Sequence, residues 1–402
     1  MLGKIPLLWG AVRTGAMQLA AGIGVTVLSG LLVQLLALRS LSNGAYATFV
    51  LALSVGNVAN AIAAAIQPVV AKRVLTGRTA FLPAPIHTVL SVLTVGCLLA
   101  TVVIGRGIGA LLAFAIVLQI PLHAAVAVGQ GSLQAQCAFA RLASGIAIWS
   151  VARVAVVVAA FATARGSVTM FVLALPIALF VELVVLVLLG AYQQLSWRFA
   201  SAGRQLLGHY ALWVIFGWII NADAIYARLL LPLADAGAYA TAATLGRQPI
   251  YLAAPLVLVL LPVTMGSDDR DQRHRLAAIL VLSVALLAGT VLVLGIWPER
   301  IVVFLTHAPE RADGALLRGY AIAGPLAATA TLLLAFTFAL HCTPRLRDFA
   351  VISVIYTLVA IVVIRTPRAL LLLHIGALFA VVVSCLRVAM RATRPLERER
   401  TQ

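Results

Sequence analysis

Long apolar runs are the feature that most constrains how this chain can fold. Predominantly apolar stretches of 18 residues or more recur along the 402 residues, and each is long enough to cross about 30 Å of hydrocarbon as a helix. Hydrophobic residues make up 63% of the chain and charged residues only 10%, whereas soluble domains are roughly a quarter charged. Because backbone groups inside a bilayer must satisfy one another, we predict an all-α polytopic membrane protein.

Twelve transmembrane helices are predicted from these runs. They cover residues 14–38, 45–70, 83–105, 108–129, 143–162, 168–190, 210–233, 238–264, 276–297, 315–341, 347–365 and 369–390. The connections are short, so the sequence leaves no room for a soluble catalytic domain. The longest connections are 191–209 and 298–314, and we expect a short interfacial helix in the second.

A repeated pentapeptide indicates that the two halves of the chain are related. Gly-Ala-Tyr-Ala-Thr occurs at 44–48 and again at 237–241, each time at the junction between two apolar spans. The separation is close to half the chain length, which favours a duplicated unit. We therefore predict two six-helix lobes in a parallel repeat, because an even number of helices per half gives both halves the same orientation. The predicted boundaries are an N-terminal lobe at 1–190, a cytoplasmic linker at 191–209, a C-terminal lobe at 210–390 and a basic cytoplasmic tail at 391–402.

Basic residues predict the orientation of the chain in the membrane. With the N-terminus inside, 18 of the 29 Lys and Arg residues fall in cytoplasmic segments and 8 in external loops. This asymmetry follows the positive-inside rule and predicts that both termini of this multi-pass protein lie in the cytoplasm. The net charge of +17 is therefore a topology signal and an attraction to anionic lipid rather than a sign of nucleic-acid binding.

Five charged residues lie inside the predicted spans. They are Arg153, Glu182, Asp223, Arg228 and Arg247. A charge near the centre of a membrane helix costs roughly 2.5–3.5 kcal/mol on insertion scales, so we expect partners that offset this cost.

Depth within the spans suggests those partners. Asp223 and Arg247 both lie about 15 Å from the external end of their spans, which predicts one pair. Arg153 and Glu182 differ by only about 7 Å in depth, which the length of an arginine side chain covers, and they form the second predicted pair.

The helix around Asp223 has two polar faces. Spacings of seven, four and seven place Tyr210, Gly217, Asn221 and Arg228 on one face. Asp223 lies on nearly the opposite face. One face would line a cavity while the other meets a neighbouring helix. For the region around Asp223 we favour a functional role over a purely structural one. In the first half, Asn57, Asn60 and Gln67 form another polar stripe; interhelical hydrogen bonding explains it at least as well as substrate contact.

The candidate substrate-binding or coupling residues are therefore Asn221, Asp223, Arg228, Arg247, Arg153 and Glu182. For the Arg153–Glu182 pair, structural bonding between helices and a functional role are equally supported. The four cysteines show no CxxC spacing, so we predict no disulfide framework and no metal site. No cofactor and no catalytic residue are predicted.

Four passages resemble the polysaccharide-export flippases of the multidrug/oligosaccharidyl-lipid/polysaccharide superfamily. The segment 36–74 resembles the first helical hairpin of that family, and 129–145 resembles the connection before its fifth helix. The segment 221–262 is similar to its seventh and eighth helices, with Asn-x-Asp followed by Gly-x-Tyr, and 298–326 is similar to the connection into its tenth helix. Their order and spacing agree with twelve helices in two lobes.

The resemblance implies a flippase of a bacterial plasma membrane that moves a polyprenyl-pyrophosphate-linked oligosaccharide outward by alternating access. It also implies glycosyltransferases or a polymerase of the same polysaccharide or lipopolysaccharide pathway as partners, with proton or Na⁺ coupling left open. Guanidinium groups suit pyrophosphate oxygens, and three intramembrane arginines against two acids lean toward an anionic cargo. The chain departs from this expectation in lacking a dense mid-membrane arginine cluster.

One mechanism follows from the predicted pair around Asp223. Asn221, Arg228 and Arg247 would face the cavity between the lobes, and Asp223 would hold Arg247 in one state and release it to a cargo phosphate in the other.

Two other functions stay open at this point. The nearest is a cation-coupled exporter of drugs or small molecules from the same superfamily, for which Glu182 and Asp223 are the available proton sites. The second is a membrane glycan polymerase or ligase that uses the loop 298–314 with Arg300, His307 and Arg311. The brevity of this loop argues against that enzyme.

Overall fold

The computed structural model describes most of the chain as helix. The described residues are 5–75, 80–83, 109–136, 138–163, 167–193, 195–200, 204–253, 256, 269–306, 313–340, 342 and 344–393. The chain divides into two compact units, Met1–Arg228 and Leu229–Gln402. The lobe and linker boundaries expected from the sequence stay a prediction.

The first unit contains six described helices. They are α1 (Ile5–Ser40), α2 (Asn43–Leu75), α3 (Ala110–Ala135), α4 (Phe139–Thr163), α5 (Val168–Leu188) and α6 (Arg204–Leu230), the last of which ends just past the unit boundary. Two short strands accompany them, β1 (Ala80–Pro83) and β2 (Leu195–Ala200). The strands pair in parallel, with Ala80 opposite Leu195 and an irregularity between Phe81 and Pro83. They join the segment after α2 to the connection before α6.

The second unit contains the remaining described helices. They are α7 (Leu233–Gly246), α8 (Asp269–Thr290), α9 (Pro298–Thr306), α10 (Gly314–Ala339), α11 (Leu346–Val362) and α12 (Pro367–Ala392). Helix α8 continues into a π-helical turn at Val291–Gly295. Helix α9 lies in the connection where the sequence predicts an interfacial helix.

The predicted all-α polytopic class is confirmed. Nine helices within the described residues are long and apolar enough to cross a membrane, and each coincides with a predicted span. The predicted span 347–365 corresponds to α11, which is shorter. The predicted span 83–105 lies, apart from its first residue, outside the described residues.

One predicted span is interrupted. The sequence predicts a continuous helix over 238–264, but α7 ends at Gly246 and Arg247 forms a turn before residues 248–253 become helical again. Pro249 explains the break, because it has no backbone N–H to donate to a carbonyl of the preceding turn. Arg247 is therefore at the end of a short helix rather than inside a long one.

Helix α1 packs along α4 in the first unit. A Cβ at Gly22 would lie 3.0 Å from the Ala143 carbonyl oxygen. One turn later the Thr26 hydroxyl lies 2.7 Å from the Ser150 hydroxyl. Residue numbers increase along α1 and α4 from the first contact to the second, so the two helices run in the same direction. Small residues at such contacts let helices approach closely in a membrane.

Helix α6 packs along α2 in the opposite direction. A Cβ at Gly217 would collide with the Ala61 side chain, while Asn57 and Thr48, further back along α2, meet Asn221 and Arg228, further along α6. The glycine at 217 is thus required for the close approach of the two helices.

Helix α10 is the central helix of the second unit. Its span is 78% buried, compared with 11% for the span that contains α8. A Cβ at Gly324 would collide with the Gly246 carbonyl of α7, and one at Gly319 would collide with Leu371 of α12. Close packing on two sides therefore explains why α10 is nearly enclosed, whereas α8 presents most of its surface outward.

Candidate functional site

A buried carboxylate lies among α3, α4 and α5 in the first unit. Glu182 on α5 is 2% exposed. Its Oε1 atom accepts a hydrogen bond of 2.8 Å from the Gln130 side-chain amide of α3. An acid at membrane depth needs such a partner, and intramembrane acids of this kind commonly mark ion or proton pathways.

Arg153 on α4 is held by α1 and by an aromatic ring. Its Nη2 atom donates to the Ser29 hydroxyl at 3.1 Å and lies 3.4 Å from the Thr26 carbonyl oxygen. The guanidinium carbon lies 4.4 Å from the centre of the Trp149 ring, which is a favourable cation–π distance. Gly30 leaves room for this arginine, since a Cβ there would be 3.2 Å from Nη2.

The structure brings Arg153 and Glu182 into one polar cluster. The Arg153 charge acts electrostatically on Glu182 and on His123 of α3. The two predicted partners are also each held by neutral groups, Glu182 by Gln130 and Arg153 by Ser29. We call Arg153, Glu182, Gln130, Ser29 and His123 the first-unit cluster.

The polar stripe of α2 meets the polar face of α6. The Asn57 side-chain amide donates to the Asn221 side-chain oxygen at 3.3 Å. The Arg228 Nε atom donates to the Thr48 hydroxyl at 2.8 Å. The face that the sequence predicts around Asn221 and Arg228 is therefore a helix contact at these two residues.

Other members of the two stripes have different surroundings. Gln67 donates to the side-chain oxygen of Gln134 on α3 at 3.2 Å, whereas Asn60 is exposed. The side chain of Tyr210 lies outside the described residues.

Asp223 and Arg247 are both buried. Asp223 on α6 is 0% exposed, and Arg247 at the end of α7 is 6% exposed. Each has at least one polar or electrostatic interaction. The pairing expected from their matched depth stays a prediction. Breaks in transmembrane helices are frequent at transporter binding sites, so the turn at Arg247 adds a structural reason to keep this arginine as a candidate.

The pentapeptide repeat has equivalent local structure in the two units. The Thr48 hydroxyl donates to the Gly44 carbonyl at 3.0 Å, and the Thr241 hydroxyl donates to the Gly237 carbonyl at 3.0 Å. Tyr46 and Tyr239 are both 0% exposed. The buried tyrosines show that both copies of the repeat pack in a core. The hydrogen bond from Arg228 to Thr48 involves the first copy.

The sequence reasoning did not identify Gln130, Ser29 or Thr48 as site residues. Gln130 and the buried Gln119 are two of the few polar residues in the mainly apolar helix α3, and that composition was the available signal. The second unit also contains a buried pair, in which the Tyr356 hydroxyl lies 3.2 Å from His374 Nδ1. The Tyr320 ring lies beside the same histidine, with ring centres 6.4 Å apart.

The loop that supports the enzyme alternative is helical where it is described. Residues Pro298–Thr306 form α9, and His307 and Arg311 lie outside the described residues. Among the described residues, no group of three or more His, Cys, Asp or Glu side chains is placed to hold a metal ion.

Comparison with known proteins identifies the fold. No family model and no curated protein matches the sequence. Solved structures do match, although only 12–14% of residues are identical in the following three. A structure of MATE in complex with MaD5 matches with a TM-score of 0.61 and 14% identity, covering 97% of this chain and 98% of the other. An outward-facing multidrug resistance MATE family transporter of the MOP superfamily matches with a TM-score of 0.59 and 13% identity, covering 94% and 95%.

The third match is a MOP superfamily transporter from Pyrococcus furiosus, with a TM-score of 0.59 and 12% identity, covering 94% of this chain and 95% of the other. Its structure is described as having a binding pocket of reverse polarity that suggests a different function. The chain therefore has the fold of MOP superfamily transporters over nearly its whole length. The narrower resemblance to polysaccharide-export flippases stays a prediction.

Proposed function

We propose that this chain is a membrane exporter of a small amphiphilic molecule, working by alternating access and driven by proton exchange at Glu182. The observation that carries the proposal is the whole-chain match to multidrug transporters of the MATE fold, together with one buried carboxylate in a polar cluster. This choice reverses the order of the two transport functions considered from the sequence, in which the glycan flippase came first.

Glu182 has the surroundings that a proton carrier needs. Its hydrogen-bond donor is the neutral Gln130 amide, which can bond either protonation state because an amide has both a donor and an acceptor. Arg153 belongs to the same polar cluster, and its positive charge attracts the carboxylate of Glu182. Proton binding would weaken that attraction, so the two protonation states favour different arrangements of α3, α4 and α5.

A second candidate function is the flipping of a polyprenyl-pyrophosphate-linked oligosaccharide. Its support is the resemblance of the four sequence passages and the excess of arginine, because Arg153 and Arg247 are buried and Arg228 is half-buried. The fold accommodates pockets of different polarity, as the description of the Pyrococcus furiosus transporter states. In this function Asn221, Arg228 and Arg247 would bind the pyrophosphate, and Asp223 would compete with it for Arg247.

Transport in proteoliposomes with an imposed pH gradient tests the proposal. Purified protein should move a cationic dye such as ethidium against a proton flux that a pH-sensitive dye reports. Glu182→Gln should abolish the proton-driven movement, because its side chain keeps the hydrogen bond to Gln130 but cannot ionise. Asp271→Asn is the matched control, since this acid is 59% exposed, and it should transport normally.

The same liposomes separate the two candidates. Failure to move dye together with outward movement of a fluorescent polyprenyl-pyrophosphate oligosaccharide would replace the first candidate by the second. Dye transport that persists unchanged in Glu182→Gln would refute the role of Glu182. Absence of both activities in folded protein would refute both functions.

A further inference from the structure

An exposed groove runs along helix α9. It has a volume of about 330 Å³ and is lined by Trp297, Arg300, Ile301, Phe304 and Leu305. Spacings of three and four residues place these side chains on one face of the helix. Phe304 is 75% exposed and Trp297 is 50% exposed, so large apolar side chains point outward here.

The opposite face of α9 anchors it to the second unit. Pro298, Val302 and Thr306 are buried and follow one another at intervals of four. Helix α9 is therefore apolar on its buried face and largely apolar on its outer face. A continuous exposed apolar patch of this kind marks contact with a partner or with a membrane.

The surface that continues from the groove is apolar and faces outward. The span Asp271–Gly295, which leads into α9, is only 11% buried. Its last turn exposes Val291, Leu292 and Val293. At 1.5 Å per residue this span is about 37 Å long, which exceeds the hydrocarbon thickness of about 30 Å and brings Trp297 to the level of the lipid headgroups.

Charge identifies which part of a lipid meets the groove. Arg300 is the one charged residue among those that line it. The neighbouring acid, Glu299, pairs instead with Arg318 at 3.7 Å, and Arg318 lies 3.4 Å from the Gly295 carbonyl oxygen. Arg300 therefore presents its guanidinium beside apolar walls, an arrangement that suits a phosphate attached to an acyl chain.

We propose that this groove binds one anionic phospholipid, with its phosphate on Arg300 and an acyl chain along Trp297, Ile301 and Phe304. Trp and Arg at headgroup depth are typical anchors of membrane helices. The site lies in the second unit, apart from the first-unit cluster, and the proposal is the same whichever cargo the protein carries.

Native mass spectrometry of the full chain, purified in mild detergent and titrated with phosphatidylglycerol, tests the site. We expect Arg300→Gln to reduce the population carrying a tightly retained lipid several-fold, because an uncharged amide cannot replace the guanidinium. Phe304→Ser should reduce it as well, through loss of acyl-chain contact. The matched control is Arg365→Gln, because Arg365 is an exposed arginine in the loop after α11 whose guanidinium contacts backbone carbonyls, and it should retain lipid like the unaltered protein.

Several results would overturn the proposal. Equal lipid retention by the unaltered protein and Arg300→Gln would show that Arg300 binds no phosphate. Equal loss in Arg365→Gln would show a general charge effect. Competition by inorganic phosphate at a concentration comparable to that of the lipid would show an anion site with no acyl-chain contribution. Thermal unfolding of each variant checks that the fold is intact.

Discussion

Glu182 and Gln130 show how a single hydrogen bond allows an acid inside a membrane helix. The carboxylate is 2% exposed and its oxygen lies 2.8 Å from the amide nitrogen. A buried acceptor that loses its donor costs about 1–3 kcal/mol, and more when it is charged. The functional proposal for Glu182 therefore has a consequence for stability that can be measured without a transport assay.

We expect Gln130→Leu to lower the thermal unfolding temperature of the detergent-solubilised protein, because Glu182 would lose its amide donor. Gln193→Leu, at an exposed position, should leave that temperature nearly unchanged. In a Glu182→Gln background the cost of Gln130→Leu should fall, because no charge is left without a donor. If Gln130→Leu and Gln193→Leu unfold at the same temperature, the hydrogen bond between Gln130 and Glu182 contributes little to stability.

Neutral groups contact the arginines Arg153 and Arg228 of the first unit. Arg153 rests on Trp149 and bonds to Ser29, and Arg228 bonds to Thr48. Neutral hydroxyl groups and an aromatic face contact these guanidinium groups in addition to any acid. Pairing charges by depth alone therefore identifies only some of the partners of an intramembrane arginine.

At the scale of the elements, helix α6 is positioned by its close packing against helix α2. Its Gly217 packs against Ala61 of α2, and its Asn221 and Arg228 side chains bond to side chains of α2. The compact first unit accordingly extends to Arg228. Each interhelical hydrogen bond in a membrane contributes only about 0.6 kcal/mol, so the close approach at Gly217 carries much of this contact.

Substitution of leucine at two glycines of α6 separates close packing from helix propensity. Gly217→Leu should lower the unfolding temperature, since its side chain would force α6 away from α2 and overpacking typically costs about 1–3 kcal/mol. Gly208→Leu is the matched control, because a Cβ at Gly208 meets nothing within 4 Å. A thermal melt in which Gly217→Leu is as stable as Gly208→Leu would contradict the described α2–α6 contact.

Two local features of the elements differ from what the sequence predicts. Strand β2 contains Leu-Ser-Trp-Arg-Phe-Ala, and its alternation of apolar and polar residues is a β-strand signal that the helical pattern of the rest of the chain obscured. Helix α7 ends at Gly246 because Pro249 follows. The apolar run continues through that proline, and hydropathy does not register the missing backbone hydrogen bond.

At the scale of the whole molecule, the count of basic residues predicts the orientation in the membrane. Helices α10, α11 and α12 follow one another through short segments, and if each helix crosses the membrane these segments lie on alternate sides. The positive-inside rule predicts the C-terminus in the cytoplasm and the loop around Arg365 outside.

Reporter fusions test this orientation in cells. Alkaline phosphatase fused after residue 365 should be active, and the same enzyme fused after residue 402 should be inactive, because it folds only outside the cytoplasm. A green fluorescent protein at the C-terminus should fluoresce. The reverse pattern would invert the topology and place α9 and its groove on the cytoplasmic side.

The sequence by itself determined the membrane class and the positions of nine candidate spans. These are properties of a local run of residues, since span length and the cost of a buried charge depend on little beyond the segment itself. The equivalent structure of the two Gly-Ala-Tyr-Ala-Thr copies also follows from local hydrogen bonding between a threonine and the glycine four residues earlier.

Only the tertiary structure decided which groups meet. The bonds Gln130–Glu182, Arg153–Ser29, Asn57–Asn221 and Arg228–Thr48 join residues 52, 124, 164 and 180 positions apart. Which face of a helix turns toward which neighbour depends on close packing at positions such as Gly30 and Gly217, and no single segment encodes that choice. For this reason the charged residues could be predicted, whereas the amide and hydroxyl groups that hold them could not.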